Sequence, residues 1–221
     1  MKLLIEALTK FICGLLLVGL LIFLPAGTFC YTYGWLLVGL LFVPMLIAGF
    51  VMLARSPQFL KKRLDAKEKQ GTQKGVVALS GLMFIAGFVV AGLDFRFGWS
   101  TMPTWVVITA SALFLIAYAL YAEVMRENAY LSRTIKVEEG QTVVDTGMYG
   151  VVRHPMYAVT ILLFLMIPLV LGSWYALIAF GFYPAIIVAR LKDEEALLTK
   201  ELAGYARYKE KVKYRIIPFI W

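Results

Sequence analysis

Charge is scarce in this chain. Asp, Glu, Lys and Arg together make up 16% of its 221 residues, while hydrophobic residues make up 61%. A soluble domain of this length covers one core with charge, so a water-facing globule is excluded and an integral membrane protein is implied by a mean hydropathy of +0.79. Cysteine occurs twice: Cys13 lies inside the first apolar run and Cys30 in the turn after it. Two cysteines so placed provide neither a disulfide framework nor a metal-ligand spacing and read as small apolar fillers. Histidine occurs once, so H-E-x-x-H is absent, and no Ser-His-Asp set is present. A zinc site and a hydrolytic triad therefore have no support. Internal repeats, low-complexity stretches and a G-x-G-x-x-G phosphate cradle are missing as well.

What charge there is leans basic, with a formal net charge of +8, and its placement explains it without nucleic acid. Lys2 and Lys10 precede or open the first apolar run. Arg55, Lys61, Lys62, Arg63, Lys67, Lys69 and Lys74 share one loop, and Arg126, Arg133, Lys136 and Arg153 share another. Eight more, from Arg190 to Arg215, follow the last run, which leaves Arg96 alone in the remaining connections. This is the positive-inside bias, with a second contribution from anionic lipid headgroups.

The apolar runs predict an all-α, polytopic transmembrane bundle of six spans, at 3–24, 35–54, 76–93, 103–124, 156–171 and 174–189. The last two are short and separated by Gly172-Ser173, so they form a tight hairpin or one broken element, and five crossings is the alternative count. Both termini are then expected on the cytoplasmic side. The start of the chain could imitate a signal peptide, but no small-residue cleavage site stands out and a retained first helix is expected. Trp35, Trp99, Trp105 and Trp174 sit near span ends, as interfacial anchors do. Residues 1–124 are read as an N-terminal helical region and 125–221 as the region that carries function.

Three polar segments interrupt the lipid-like sequence. The loop "RSPQFLKKRLDAKEKQGTQKG" reads as a solvated basic linker with a short surface helix. In the tail, Leu191, Leu198, Leu202, Tyr205, Tyr208 and Val212 recur at helical steps, which predicts an amphipathic C-terminal helix lying on the membrane or against the bundle. At about 100° per residue, Glu194 falls within that stripe, Glu195 at its far edge, and Arg190 one turn before Glu194. A carboxylate facing an apolar interface is either paired, here as an Arg190–Glu194 helix pair, or functional. Glu123, Arg126 and Glu127 read as a solvated ion network at the end of span four.

The third segment is "GMYGVVRHPMY", residues 147–157. Pro155 suits the first turn of a helix, which puts His154 at the entrance of span five, on the water–lipid boundary. There an imidazole caps the helix entry or exchanges protons near neutral pH. Gly147 and Gly150 flank Tyr149 and suggest a turn or a close backbone approach.

"GMYGVVRHPMY", followed by "RLKDEE" and then "GYARYKEKVKYRIIP", resembles the isoprenylcysteine carboxyl methyltransferase family, itself similar to membrane phospholipid methyltransferases. The resemblance covers roughly residues 126–221. It implies a bilayer-embedded methyltransferase that uses S-adenosylmethionine on the cytoplasmic side. By that resemblance Gln141, Thr142, Val143, Val144, Tyr149, His154, Pro155, Met156 and Tyr157 line the cofactor pocket. Glu194 holds the cofactor from the tail side, with Glu195 as the alternative. Arg190, with Arg153, is the candidate catalytic group facing a lipophilic acceptor, such as the carboxylate of a prenylated cysteine. The partners implied are that acceptor and membrane lipids, with no nucleic acid and no metal. One departure is Val159, where the family usually has glycine, and it bears on how closely the cofactor approaches the helix.

Two other readings stand beside this one. Sterol-reductase-like membrane enzymes using NADPH also carry an RHP-like motif before an apolar stretch and a Tyr-rich basic tail, although Met156 stands where they usually have asparagine. A small transporter or scaffold is the non-enzymatic reading, but transporters place their polar sites near mid-bilayer, and here polar groups gather at the rim.

Overall fold

The computed structural model describes residues 1–65, 71–131 and 137–221, without the side chains of Gly71 and Thr72. Lys67, Lys69, Arg133 and Lys136 lie outside the described residues. Helices dominate because a chain in lipid must satisfy its backbone polar groups within each segment. Helix α1 spans Lys2–Ala26, α2 Thr32–Arg55, α3 Pro57–Leu64, α4 Gly71–Phe97 and α5 Thr104–Glu127. A 3-10 turn, Gly147–Gly150, precedes α6 at Pro155–Val170; α7 at Trp174–Phe180, α8 at Tyr183–Glu201 and α9 at Tyr205–Lys211 follow.

Among the described residues five helices are long and apolar enough to cross a membrane when α7 and α8 are counted as one run, Trp174–Glu201. The first two expected runs close at glycine or serine: α1 stops where Gly27 takes φ 69° and donates back to Leu24 and Phe23, and α2 stops at Ser56. Helix α6 is shorter, at 16 residues, or roughly 24 Å of helix against a hydrocarbon layer of about 30 Å. The expected fifth and sixth spans fold back on each other as a hairpin, with Tyr183 against Phe164 and Arg190 against Tyr157, and the sixth is itself interrupted. Gly181 and Phe182 interrupt it, and Pro184 restarts the helix in the first turn of α8.

The traverses alternate, so the N-terminus of α1, α3 and the C-terminal ends of α2, α5 and α8 share a basic rim with the N-terminal ends of α4 and α6. Lys10 reaches the Leu64 carbonyl across that rim at 2.8 Å. The opposite rim is tied by Asp94, 2% exposed, which accepts from Ser100 N at 2.8 Å and Ser100 Oγ at 2.6 Å and also from Ser173 Oγ. Trp35, Trp99, Trp105 and Trp174 are exposed around this rim, where an indole ring meets both lipid and water. Close approach between helices rests on two glycines. A Cβ on Gly92 would stand 2.5 Å from the Ile22 carbonyl oxygen on α1, and one on Gly87 would stand 2.4 Å from the Phe180 ring on α7. Small residues let membrane helices approach this closely, which compensates for the weak hydrophobic drive between them.

Two expectations change in the tail and the linker. The C-terminal stripe is not one helix, because α8 ends at Glu201 and Gly204, at φ 84°, turns the chain before α9. Its residues still face one way. Leu202, Tyr205, Tyr208 and Val212 form a small core with Leu198, Val137 and Val143, so the stripe packs on the protein's own loop rather than on lipid. The basic linker is only partly solvated. From α3, Lys62 pairs with Glu138 and Arg63 donates to the Tyr121 hydroxyl.

Candidate active site

The site starts from a short run of main chain. Gly147, at φ 51°, opens the turn under the side chain of Glu127, whose carboxylate accepts from Met148 N at 3.0 Å. Glu127 therefore leaves the expected ion network at the end of α5, where Arg126 and Glu123 pair at 2.5 Å without it. The turn buries Tyr149, and its carbonyl accepts from the Tyr208 hydroxyl at 2.7 Å. Arg153 N and His154 N then donate to the carbonyls of Tyr214 and Arg215 at 2.9 and 2.8 Å. The tail is thereby laced to the entrance of α6, with Pro155 at the first helical position.

An ion cluster fastens this join. Glu195 Oε1 accepts from Arg153 Nε at 2.6 Å and lies 3.3 Å from His154 Nε2, while Oε2 accepts from Arg215 Nε at 2.9 Å. Arg153 Nη1 also reaches the carbonyls of Val212 and Lys213 at 2.8 and 2.9 Å. A buried carboxylate with this many charged donors is compensated on all sides. Two expectations are revised here. His154 is 6% exposed rather than seated on a wet boundary. Glu195, not Glu194, is the more buried acid, because the tail folds over the helix face that periodicity left at the edge of the stripe.

Glu194 points about 100° away from Glu195 around α8 and opens onto a different environment. Its Oε2 accepts from the Tyr157 hydroxyl, which in turn accepts from Arg190 Nε at 3.1 Å. Arg190 Nη1 reaches Gln73 Oε1 at 3.3 Å, and Gln73 Nε2 donates to Asp193 at 2.7 Å. Tyr157 thus stands between the acid and the base that the sequence had paired directly.

These groups surround one cavity of about 510 Å³, within the range that small-ligand pockets occupy. Gln141, Thr142, Val143, Val144, Tyr149, Arg153, His154, Met156, Tyr157, Arg190 and Glu194 all line it. Pro155 and Glu195 do not. The proline ring packs into the bundle at the start of α6, and the acid turns toward the tail. The wall also holds residues that the sequence did not assign to it: Arg63 from α3, Tyr121 and Asn128 from the end of α5, and Tyr205 and Tyr208 from α9. Helical periodicity marked the two α9 tyrosines as apolar stripe, but nothing local distinguished Arg63 from its basic neighbours.

Electrostatically the wall is mixed. Burial pushes the hydroxyls of Tyr149, Tyr205 and Tyr208 above their usual range, and the negative field of Glu195 and Glu194 adds to the effect at Tyr205. They stay protonated and serve as neutral donors at the rim. The cavity therefore offers a carboxylate, two arginines beyond the one bound to Glu195, amide and hydroxyl groups, and several aromatic rings. Among the described residues no group of three or more His, Cys, Asp or Glu could hold a metal ion.

Comparison with known proteins gives partial matches. A Delta(14)-sterol reductase of Methylotuvimicrobium alcaliphilum is 24% identical over 135 residues, 54% of this chain and 32% of the reductase. A Delta(14)-sterol reductase of Mus musculus is 32% identical over 91 residues, 40% of this chain and 22% of that protein. The chain thus spans about a third or less of the length of these reductases. An uncharacterized protein of Bacillus subtilis, YpbQ, is 24% identical over 165 residues, 74% of this chain and 95% of that protein. Residues 105–200 match the model of the Isoprenylcysteine carboxyl methyltransferase (ICMT) family, a segment that runs from α5 through the turn, α6 and α7 to the end of α8. Through residues 105–200, somewhat less than half of its length, the chain is similar to the isoprenylcysteine carboxyl methyltransferase family.

Proposed function

We propose that this protein is an S-adenosylmethionine-dependent methyltransferase of the membrane, acting on a lipophilic acceptor. The observation that carries the reading is the convergence of three rim segments, 141–144, 149–157 and 190–208, on a single cavity whose polar end is at the basic rim. S-adenosylmethionine supplies an electrophilic methyl group on a sulfonium cation. The wall suits such a group: Glu194 offers a carboxylate, Tyr149, Tyr157, Tyr205 and Tyr208 offer ring faces for a cation, and Gln141 and Thr142 offer polar side chains. The cytoplasmic placement of the basic rim, and with it of both termini, belongs to the same reading.

The residues then divide the work. Glu194, held by Tyr157, binds from the α8 side. Arg190, held by the Tyr157 hydroxyl and Gln73, faces an anionic acceptor group and orients it. A carboxylate acceptor is already ionised and needs no general base, so what the protein supplies is alignment and exclusion of water, worth about 7–11 kcal/mol in favourable cases. Arg153 and His154 hold the tail closed over the cavity through Glu195.

The sterol reductase relatives favour a second reading, an NADPH-dependent membrane reductase. Calorimetry on the purified chain separates the two. Micromolar S-adenosylmethionine binding with no NADPH binding supports methyl transfer, and the reverse result transfers the assignment to reduction.

A further inference from the structure

The cavity has an apolar end, and three helices line it in the same way. On α4 the cavity-lining residues are Val76, Val77, Ser80 and Phe84; on α6 the deepest is Phe164; on α8 it is Tyr183. Each of these three helices contributes an aromatic ring as its last residue on the wall. The rings pack edge to face: Phe84 and Phe164 have centroids 4.8 Å apart at 85°, and Phe164 and Tyr183 lie 4.7 Å apart at 67°. Behind them Phe180, 0% exposed, meets Phe84 at 5.5 Å and is itself wedged against Gly87. The floor is therefore backed and cannot swing away freely, because close-packed interiors resist displacement.

We propose that this aromatic floor limits the acceptor to a short hydrocarbon chain, an inference that rests on the reading of the cavity as the site of a lipophilic acceptor. Arg190 and Tyr183 are on one helix face seven residues apart, roughly 10 Å along α8, about the reach of an extended chain of eight carbons. An anionic head held at Arg190 thus has its tail stopped by the floor. Volume agrees with length. A cavity of about 510 Å³ is of the size that one drug-sized ligand fills. A donor and an acceptor that share it leave room for a small acceptor. The substrate class is a small lipophilic carboxylate or similar anion, rather than a chain of many isoprene units.

The test uses the full chain purified in detergent and does not depend on methyl transfer. Thermal unfolding is followed with hexanoate, octanoate, dodecanoate and octadecanoate, each at the same mole fraction of the micelle. Ligands that bind the folded state raise the midpoint. We expect a rise of several degrees that peaks at octanoate and falls away toward octadecanoate, and Phe84→Ala should move the peak to dodecanoate. The series on the unaltered chain decides the matter if Phe84→Ala does not fold, and Phe84→Leu is the milder variant. Stabilisation that climbs through octadecanoate, that is equal at every length, that is absent throughout, or that peaks unchanged in the folded variants overturns the floor. A peak at octanoate in a protein that binds no S-adenosylmethionine keeps the floor and sinks the methyl-transfer reading instead.

Discussion

Arg153 and Glu195 meet at 2.6 Å with 6% of each side chain exposed, and the pair joins the entrance of α6 to the end of α8. Removing one member of a buried pair leaves the other charge uncompensated, which costs about 3–5 kcal/mol. Glu195→Ala strands Arg153 and loosens Arg215 and His154 with it, so a large drop in the thermal midpoint is expected, along with loss of ligand binding because the tail no longer closes the cavity. A midpoint within a degree of the unaltered chain would show that the cluster is not the fastening.

Glu194 and Arg190 share the Tyr157 hydroxyl and should separate in function. Glu194→Gln removes a charge from the cavity wall, with a roughly tenfold loss in S-adenosylmethionine affinity by calorimetry, about 1.4 kcal/mol. Arg190→Ala should leave that affinity within about twofold and reduce acceptor turnover at least tenfold. Equal, small effects from both substitutions favour a plain structural network.

Gly147 carries the turn that presents Tyr149. Its φ of 51° suits glycine, and a Cβ there would stand 1.4 Å from Glu127 Oε1. Gly147→Ala must strain the backbone and push away the carboxylate that caps Met148 N, so a loss of about 1–3 kcal/mol is expected. Gly150→Ala, at ordinary φ with its nearest neighbour 3.1 Å away at the Asp145 carbonyl, should be milder. Chemical denaturation of the two variants side by side is the measurement.

Val159 stands where the resemblance implies glycine, and it lies away from the cavity wall. The side chain is 5% exposed within the main core and is not part of the cavity wall. Val159→Gly should cost about 2–3 kcal/mol through a packing defect and lower helix propensity and change ligand affinity by less than twofold. A clear gain in S-adenosylmethionine affinity would contradict this placement.

Much of the architecture was legible because the bilayer imposes simple rules on sequence. Runs of about 20 apolar residues, basic residues on one side and tryptophans at the ends placed α1, α2, α4 and α5 within a few residues. The RHP motif located the start of α6 because proline is tolerated in the first helical turn and disruptive further in. The same rules failed in the tail, where the periodicity outlasts the helix. The tail read as one amphipathic helix because its stripe continues through Leu202, and only Gly204 marks the break.

The charge placement and the apolar runs of α1, α2, α4 and α5 follow from local composition and spacing, since membrane insertion acts on each segment nearly independently, whereas the meeting of the polar segments 141–157 and 190–215 is a contact between distant parts of the chain. Which of two adjacent acids became the buried partner of Arg153, that Arg63 left its basic loop for the cavity wall, and that three aromatic rings close its far end were decided in three dimensions. Each depends on which helix face a distant segment covers, and a face is assigned by packing between helices, which no single stretch of residues encodes.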